Sequence, residues 1–252
     1  MASPPPEAPG PTFFIIGAAK AATSSLASLL EQHPEAAIAR GKEPHFFSFD
    51  PNYRQGWESY LTLFRHGRGR KALGDASTSY SRLRYHPEAL DRIARHVPEA
   101  RILYLVRHPL ERMESAYAEQ LRTPGAPPMP TINEAVQRMP MILDSSRYGE
   151  VHAAYCARFG EERVKVLWFE DYIAHPWEVF REVCRFLGLD ERFTPSLAGE
   201  VRNARAPGLP AQALAWRPEV RHAVLEALRE DNLRFLARLG RPLDHWGGLY
   251  GA

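Results

Sequence analysis

A lysine set in a loop of small residues is the first chemistry this chain offers. Lys20 lies within Gly17-Ala18-Ala19-Lys20-Ala21-Ala22, and three hydroxyl side chains, Thr23, Ser24 and Ser25, follow directly. The apolar run Phe13–Ile16 before the loop has strand length, and Leu26, Leu29 and Leu30 behind it repeat at helical spacing. Strand, tight loop and helix in that order make an anion site. The first helical turn presents unpaired N–H groups and about half a positive charge. The ammonium adds a full charge and the hydroxyls add donors. A phosphate-like ligand is expected on Lys20 and on the turn Ala22, Thr23, Ser24 and Ser25. The ATP/GTP loop carries its lysine immediately before the hydroxyl residue. Here Ala21 and Ala22 intervene, so that signature fails.

Two further charged groups close apolar runs. Gly41-Lys42-Glu43-Pro44-His45-Phe46-Phe47 follows Ala36–Ala39, and Arg107 ends Arg101–Val106. In open α/β sheets ligands bind beyond the carboxyl ends of the strands, which is where Glu43 and Arg107 fall. His45, two residues on, shares the side of Glu43 if the segment is extended. An arginine fork matches a phosphate. Arg112, further along the same helix, reads as part of a solvated face. Asp75, after the strand Lys71–Gly74, leaves a competing reading open, the metal-holding acid of a small-molecule or nucleoside kinase. A non-catalytic nucleotide-binding protein is the second alternative.

The elements that must position these groups alternate. Strands are expected at Phe13–Ile16, Ala36–Ala39, Lys71–Gly74, Arg101–Val106 and Val164–Phe169. Helices are expected behind Thr23, across Trp57, Tyr60, Leu61 and Phe64, and over Pro87–His96, Leu110–Leu121, Ser145–Phe159, Pro176–Leu187 and Pro218–Leu239. Such alternation predicts a single α/β domain whose mainly parallel sheet of about five strands is flanked by helices, P-loop-like in plan. The tail around Trp246 belongs to no expected element.

The loop resembles the 5′-phosphosulfate loop of sulfotransferases that use 3′-phosphoadenosine 5′-phosphosulfate (PAPS), roughly G-x-x-K-x-G-T-[TS]-x-L. Gly17, Lys20, Thr23, Ser24 and Leu26 are in register, and Ala22 stands where glycine is usual. Gly41 to Phe47 resembles the heparan-sulfate-modifying type and many bacterial relatives. Gly74-Asp75-Ala76-Ser77-Thr78-Ser79-Tyr80 is similar to the family's G-E-x-[ST]-x-x-Y, and Arg107 to Tyr117 to its R-x-P-x-x-R-x-x-S-x-Y. The resemblance implies transfer of a sulfuryl group from PAPS to a hydroxyl of a saccharide or natural product, leaving adenosine 3′,5′-bisphosphate. It implies Glu43 as general base, His45 orienting or assisting, and Lys20 stabilising the leaving oxygen. Arg107 and Ser115 are implied to hold the 3′-phosphate, with Asn203 and Arg205 on a loop covering the nucleotide. No metal is implied, and no His/Cys spacing suggests one.

Composition bounds the rest. The 252 residues carry a net charge of +2, which gives no support to a nucleic-acid or membrane-surface partner. Cys156 and Cys184 read as buried free thiols, and no apolar run has the length of a membrane span. Residues 1–11, MASPPPEAPGP, read as a disordered leader ahead of a 12–252 domain, and a cytoplasmic enzyme is expected. The Pro-rich stretch Thr123–Pro130 reads as a loop bordering the acceptor site. Oligomeric state is not encoded in any pattern found.

Overall fold

Five apolar runs become five strands: β1 (Phe13–Gly17), β2 (Ala36–Ile38), β3 (Ala72–Asp75), β4 (Arg101–Val106) and β5 (Val164–Trp168). The computed structural model describes residues 9–41, 43–125, 129–196 and 211–250. The strands form one sheet in the order β2-β3-β1-β4-β5, and each pairing is parallel. All five carboxyl ends therefore open on one edge. Phe13 to Ile16 and Ile102 to Val106 are buried throughout, as expected for parallel strands covered on both faces. The α/β architecture is the one expected, and parallel without exception among the described residues.

Helices make the crossovers. α1 (Thr23–Gln32) leads from β1 to β2, and α2 (Asp50–Tyr53) and α3 (Trp57–Leu61) lie between β2 and β3. α4 (Glu88–His96) leads into β4 and α5 (Pro109–Gln120) leaves it. α6 (Ile132–Arg138), α7 (Pro140–Asp144) and α8 (Tyr148–Phe159) precede β5. After β5 come α9 (Phe169–Ala174), α10 (Pro176–Leu187) and α11 (Pro218–Arg238).

The structure departs from the sequence expectations at identifiable points. The stripe Trp57, Tyr60, Leu61 and Phe64 does not ride on one helix, because α3 stops at Leu61 and a 3-10 turn, Thr62–Gly67, continues it. Tightening seats Gly67 against Leu73 and Ala37, where a Cβ would come within 2.4 and 2.9 Å. The stripe still packs: Tyr60 stacks on Phe46 at 4.3 Å and Phe64 is buried.

Arg112 is not solvated; it is 1% exposed. Its Nε donates to Ser146 Oγ at 2.7 Å and Nη2 to the carbonyl of Ile142. Neutral oxygens thus satisfy a fully buried guanidinium and tie α5 to α7.

The tail is also placed. Trp246 and Tyr250 are buried. Trp246 packs on Tyr148 and Trp168, and Asn232 Nδ2 donates to the Tyr250 hydroxyl at 2.6 Å. At the other end Pro11 is buried, and residues 1–8 of the expected leader lie outside the described residues. Cys156 and Cys184 are buried free thiols. No helix among the described residues is long and apolar enough to cross a membrane.

Gly74 sits inside β3 beneath the Phe13 ring, and a Cβ there would come within 2.2–2.8 Å of three ring atoms. Phe13 is fully buried in the central strand and cannot retreat. Gly74→Ala is expected to lower unfolding stability by about 1–3 kcal/mol, read as a lower urea midpoint.

Candidate active site

Connections leave β1 and β4 toward opposite sides of the sheet, β1 to β2 and β4 to β5. The crevice between two such neighbours is the ligand position of an open α/β sheet. Lys20 follows β1 and Arg107 follows β4, so one cation flanks it from each side.

The loop after β1 is shaped by close contact. Gly17 has φ +143°, and a Cβ there would lie 2.3 Å from Ser81 Oγ. The loop is therefore pressed against the 3-10 turn Thr78–Ser81 that follows β3. Lys20 and Ala22 both adopt left-handed conformations, φ 74° and 69°. Glycine is usual at the second position because the left-handed turn costs a side chain about 1–2 kcal/mol. Ala22 is the N-cap of α1, provides no side-chain cap, and is followed by no acid in the first turn. The helix end is thus open to an anion. Thr23 is buried and Ser24 exposed. Ser25 is engaged elsewhere, its hydroxyl 2.8 Å from that of Tyr172 on α9.

Lys20 and Arg107 meet. Arg107 Nη1 donates to the Lys20 carbonyl at 3.4 Å, and its guanidinium lies over Phe169, 4.3 Å from the ring centroid. Its Nε is buried with no partner among the described residues. An oriented, partly desolvated guanidinium with an unused donor fits an anionic ligand. The backbone beneath is held by Tyr148, which donates to the Arg107 carbonyl at 2.7 Å, and by Glu170, which accepts from His108 N at 2.7 Å.

Both cations have carboxylate partners on one helix face. Glu111 accepts from Arg107 Nη2 at 3.0 Å, and Glu119 from Lys20 Nζ at 2.8 Å. Residues four apart on a helix are neighbours, so Ser115 lies between Glu111 and Glu119. Sequence reading assigned Ser115 but missed both glutamates. Their spacing at 111, 115 and 119 was the available signal.

Glu43 and His45 are brought together, though not by extension. His45 has φ 50°, and this kink turns its ring back toward the acid. Nε2 lies 3.4 Å from Glu43 Oε2, while Nδ1 is 2.7 Å from Ser79 Oγ. Thr78 donates to Glu43 Oε2 at 3.1 Å, and Ser77 Oγ accepts from His45 N at 3.0 Å. The hydroxyl run after β3 therefore seats the acid and the imidazole together. Asn203 and Arg205 lie outside the described residues.

Asp75 has a different place from the one the kinase reading requires. It is fully buried. Oδ2 accepts from Tyr60 and Tyr80, each at 2.7 Å, and Oδ1 accepts from Ser77 at 2.6 Å. Both oxygens are committed inward, so Asp75 is the hub of an interior network beneath the Ser77–Ser79 run.

Comparison with known proteins gives one consistent set. A family model described as the sulfotransferase family matches residues 52–195, more than half of the chain. The human heparan sulfate glucosamine 3-O-sulfotransferase 6 is 34% identical over 128 residues, covering 50% of this chain and 36% of that protein. The chain thus spans about a third of the length of this curated relative. A crystal structure of a sulfotransferase from Alicyclobacillus acidocaldarius superposes with a TM-score of 0.78 at 29% identity, covering 94% of this chain and 99% of that one. The sulfotransferase domain of the Synechococcus PCC 7002 olefin synthase shares the fold, with a TM-score of 0.59 at 18% identity over 96% of this chain and 98% of its own.

Two outcomes follow from the geometry. Burial pushes the Asp75 carboxyl up to about 6, from 3.8 in an exposed chain. The folded state then holds the proton more tightly than the unfolded one. Asp75's contribution to stability is complete below about pH 4 and is lost as pH rises through about 6. Asp75→Asn should remove that slope, up to about 3 kcal/mol, from denaturation midpoints measured across pH 4–7. Glu119 is mostly exposed, so its pair with Lys20 is weak. Glu119→Gln should free the ammonium and tighten binding of inorganic phosphate about two- to fivefold by calorimetry.

Proposed function

The chain belongs to the sulfotransferase family, and on that premise we propose that it moves a sulfuryl group from PAPS to a hydroxyl of a saccharide or natural-product acceptor. The observation that carries the reading is the meeting of Lys20 and Arg107, from the loops after β1 and β4, at one crevice. A nucleotide with phosphates on both its 5′ and 3′ sides needs two separated cations. When bound, PAPS supplies the activated sulfuryl group and leaves as adenosine 3′,5′-bisphosphate.

The chain's own groups divide the work. Lys20 offsets charge growing on the leaving oxygen, and N–H groups at the start of α1, around Thr23 and Ser24, share that task. The orphan Nε of Arg107 supplies a donor for the 3′-phosphate, and Ser115 adds a hydroxyl. Glu43 takes the acceptor proton. His45, fixed through Ser79, holds the acid's orientation and offers a second proton acceptor. By resemblance, Asn203 and Arg205 are assigned to nucleotide binding; both lie outside the described residues. Saccharides are the first acceptors to try, because the human relative's name describes action on heparan sulfate glucosamine.

Adenosine 3′,5′-bisphosphate should bind without magnesium; clearly tighter binding of ATP with magnesium would overturn the reading. Glu43→Gln should keep bisphosphate affinity within about twofold, while transfer from labelled PAPS falls roughly a hundred- to ten-thousandfold. Unchanged turnover would remove Glu43 from the mechanism.

A further inference from the structure

The two cations of the crevice lead into helices that begin differently. Lys20 leads into α1, whose first turn has no side-chain cap. Arg107 leads into α5, and the start of that helix is already filled. Pro109 has no N–H to give, the Glu111 N–H goes to His108 Nδ1 at 3.4 Å, and the His108 N–H goes to Glu170 Oε1 at 2.7 Å. A carboxylate of the chain itself therefore sits where a helix end would receive an anion. On this side the nucleotide is left to side chains, Arg107 first among them.

The peptide unit that joins Arg107 to His108 is gripped at both of its polar groups. Tyr148, at the start of α8, donates to its C=O at 2.7 Å, and Glu170, on α9, accepts from its N–H at 2.7 Å. Tyr148 is fully buried. One peptide plane fixed from two helices sets the direction in which the Arg107 side chain leaves the main chain. Phe169, the neighbour of Glu170, lies under the guanidinium, so α9 supplies a ring as well as an acceptor.

Glu170 has a second oxygen to account for. Oε2 is shielded from solvent and has no partner among the described residues. Burial holds the carboxyl above its ordinary value against the pull of the His108 N–H; the charge of Glu111 adds to the rise and that of Arg107 opposes it. Tyr148 also faces it. Burial lowers the pKa of His108, so that imidazole adds no charge at neutral pH, and Asp171, the next residue, is paired with Arg241. An ionised Glu170 thus sets a poorly solvated negative charge near the cation that would hold a phosphate.

We propose that Tyr148 and Glu170 are positioning residues for the donor, pinning one peptide so that Arg107 meets the 3′-phosphate, and that the charge of Glu170 loosens that grip. The inference rests on the sulfotransferase reading, which assigns the 3′-phosphate to Arg107. Both residues act through Arg107. The pin preorganises the guanidinium, so less order has to be imposed when the nucleotide binds. The charge opposes the phosphate and favours departure of adenosine 3′,5′-bisphosphate after transfer.

Calorimetry with adenosine 3′,5′-bisphosphate and with adenosine 5′-phosphate tests this, because the ratio of the two affinities isolates the 3′-phosphate. Tyr148→Phe frees one end of the peptide and should lower that ratio about three- to thirtyfold, with 5′-phosphate affinity within about twofold of wild type. Glu170→Gln keeps an acceptor for the His108 N–H and removes the charge. It should raise the ratio about two- to tenfold at pH 8, and approach the wild-type value as pH falls to 5 and Glu170 takes up a proton. Glu170→Ala lacks both charge and acceptor, and its ratio should lie about three- to thirtyfold below that of Glu170→Gln. Tyr148→Phe carries the positioning arm if Glu170→Ala does not fold. A wild-type ratio in Tyr148→Phe, equal weakening of both nucleotides, Glu170→Ala level with Glu170→Gln, or a Glu170→Gln ratio no higher than wild type at pH 8 overturns the proposal. Equal binding of the two nucleotides by the wild-type protein is a separate failure, that of the 3′-phosphate assignment itself.

Discussion

Parallel pairing of β1 with β4 is the constraint from which the site follows. Register Phe13↔Arg101 through Gly17↔Tyr104, with a shift after Ile15, sends both strands to the same sheet edge, β4 running on past Gly17 to Val106. The residues just past those ends must then share one crevice, whatever else the helices do. β3, on the other side of β1, delivers its hydroxyl run to the same edge, with Phe14 paired to Asp75. Glu43 arrives from the outermost strand through a loop rather than a strand end. It needs the most help to be positioned, and receives it from Thr78 and His45.

Charge is arranged with similar economy. Lys20 and Arg107 are the attractive groups of the crevice, yet each is neutralised from α5, by Glu119 and Glu111. Glu111 and Glu119 are more than half exposed, so these pairs are cheap to exchange for a phosphate. Asp75 is the opposite case, with no exposure and three hydroxyl donors. The same acidic chemistry serves as an exchangeable counter-ion at the rim and as a fixed strut in the interior. Solvent access decides which.

Much of this was legible in the chain. Buried parallel strands are continuous apolar runs, so β1 and β4 stand out, and the groups that close them could be named from sequence. The lysine loop was readable because strand, small residues and hydroxyl-led helix lie within one short segment. What escaped notice depended on distant partners. Arg112 has the sequence context of a surface residue, and only α7 folding over it supplies Ser146 and Ile142 as acceptors. Asp75 looks like an active-site acid until Tyr60 and Tyr80 turn inward upon it. His45 reaches Glu43 through a left-handed residue, which no period-two argument anticipates. Trp246 has no local pattern at all and is explained only by the aromatic wall of Tyr148 and Trp168.

The left-handed alanine at the head of α1 carries a thermodynamic consequence. A methyl at position 22 narrows the conformations open to the unfolded loop, an entropic advantage over glycine of about 0.4–1 kcal/mol where the native angle is tolerated. Holding alanine at φ 69° costs more, about 1–2 kcal/mol. Strain therefore outweighs the entropic gain in the folding balance. The proposed anion mould is consequently stiffer than its glycine counterpart at a small net loss of stability, and the tight fit of Gly17 on Ser81 directs that stiffness to one shape.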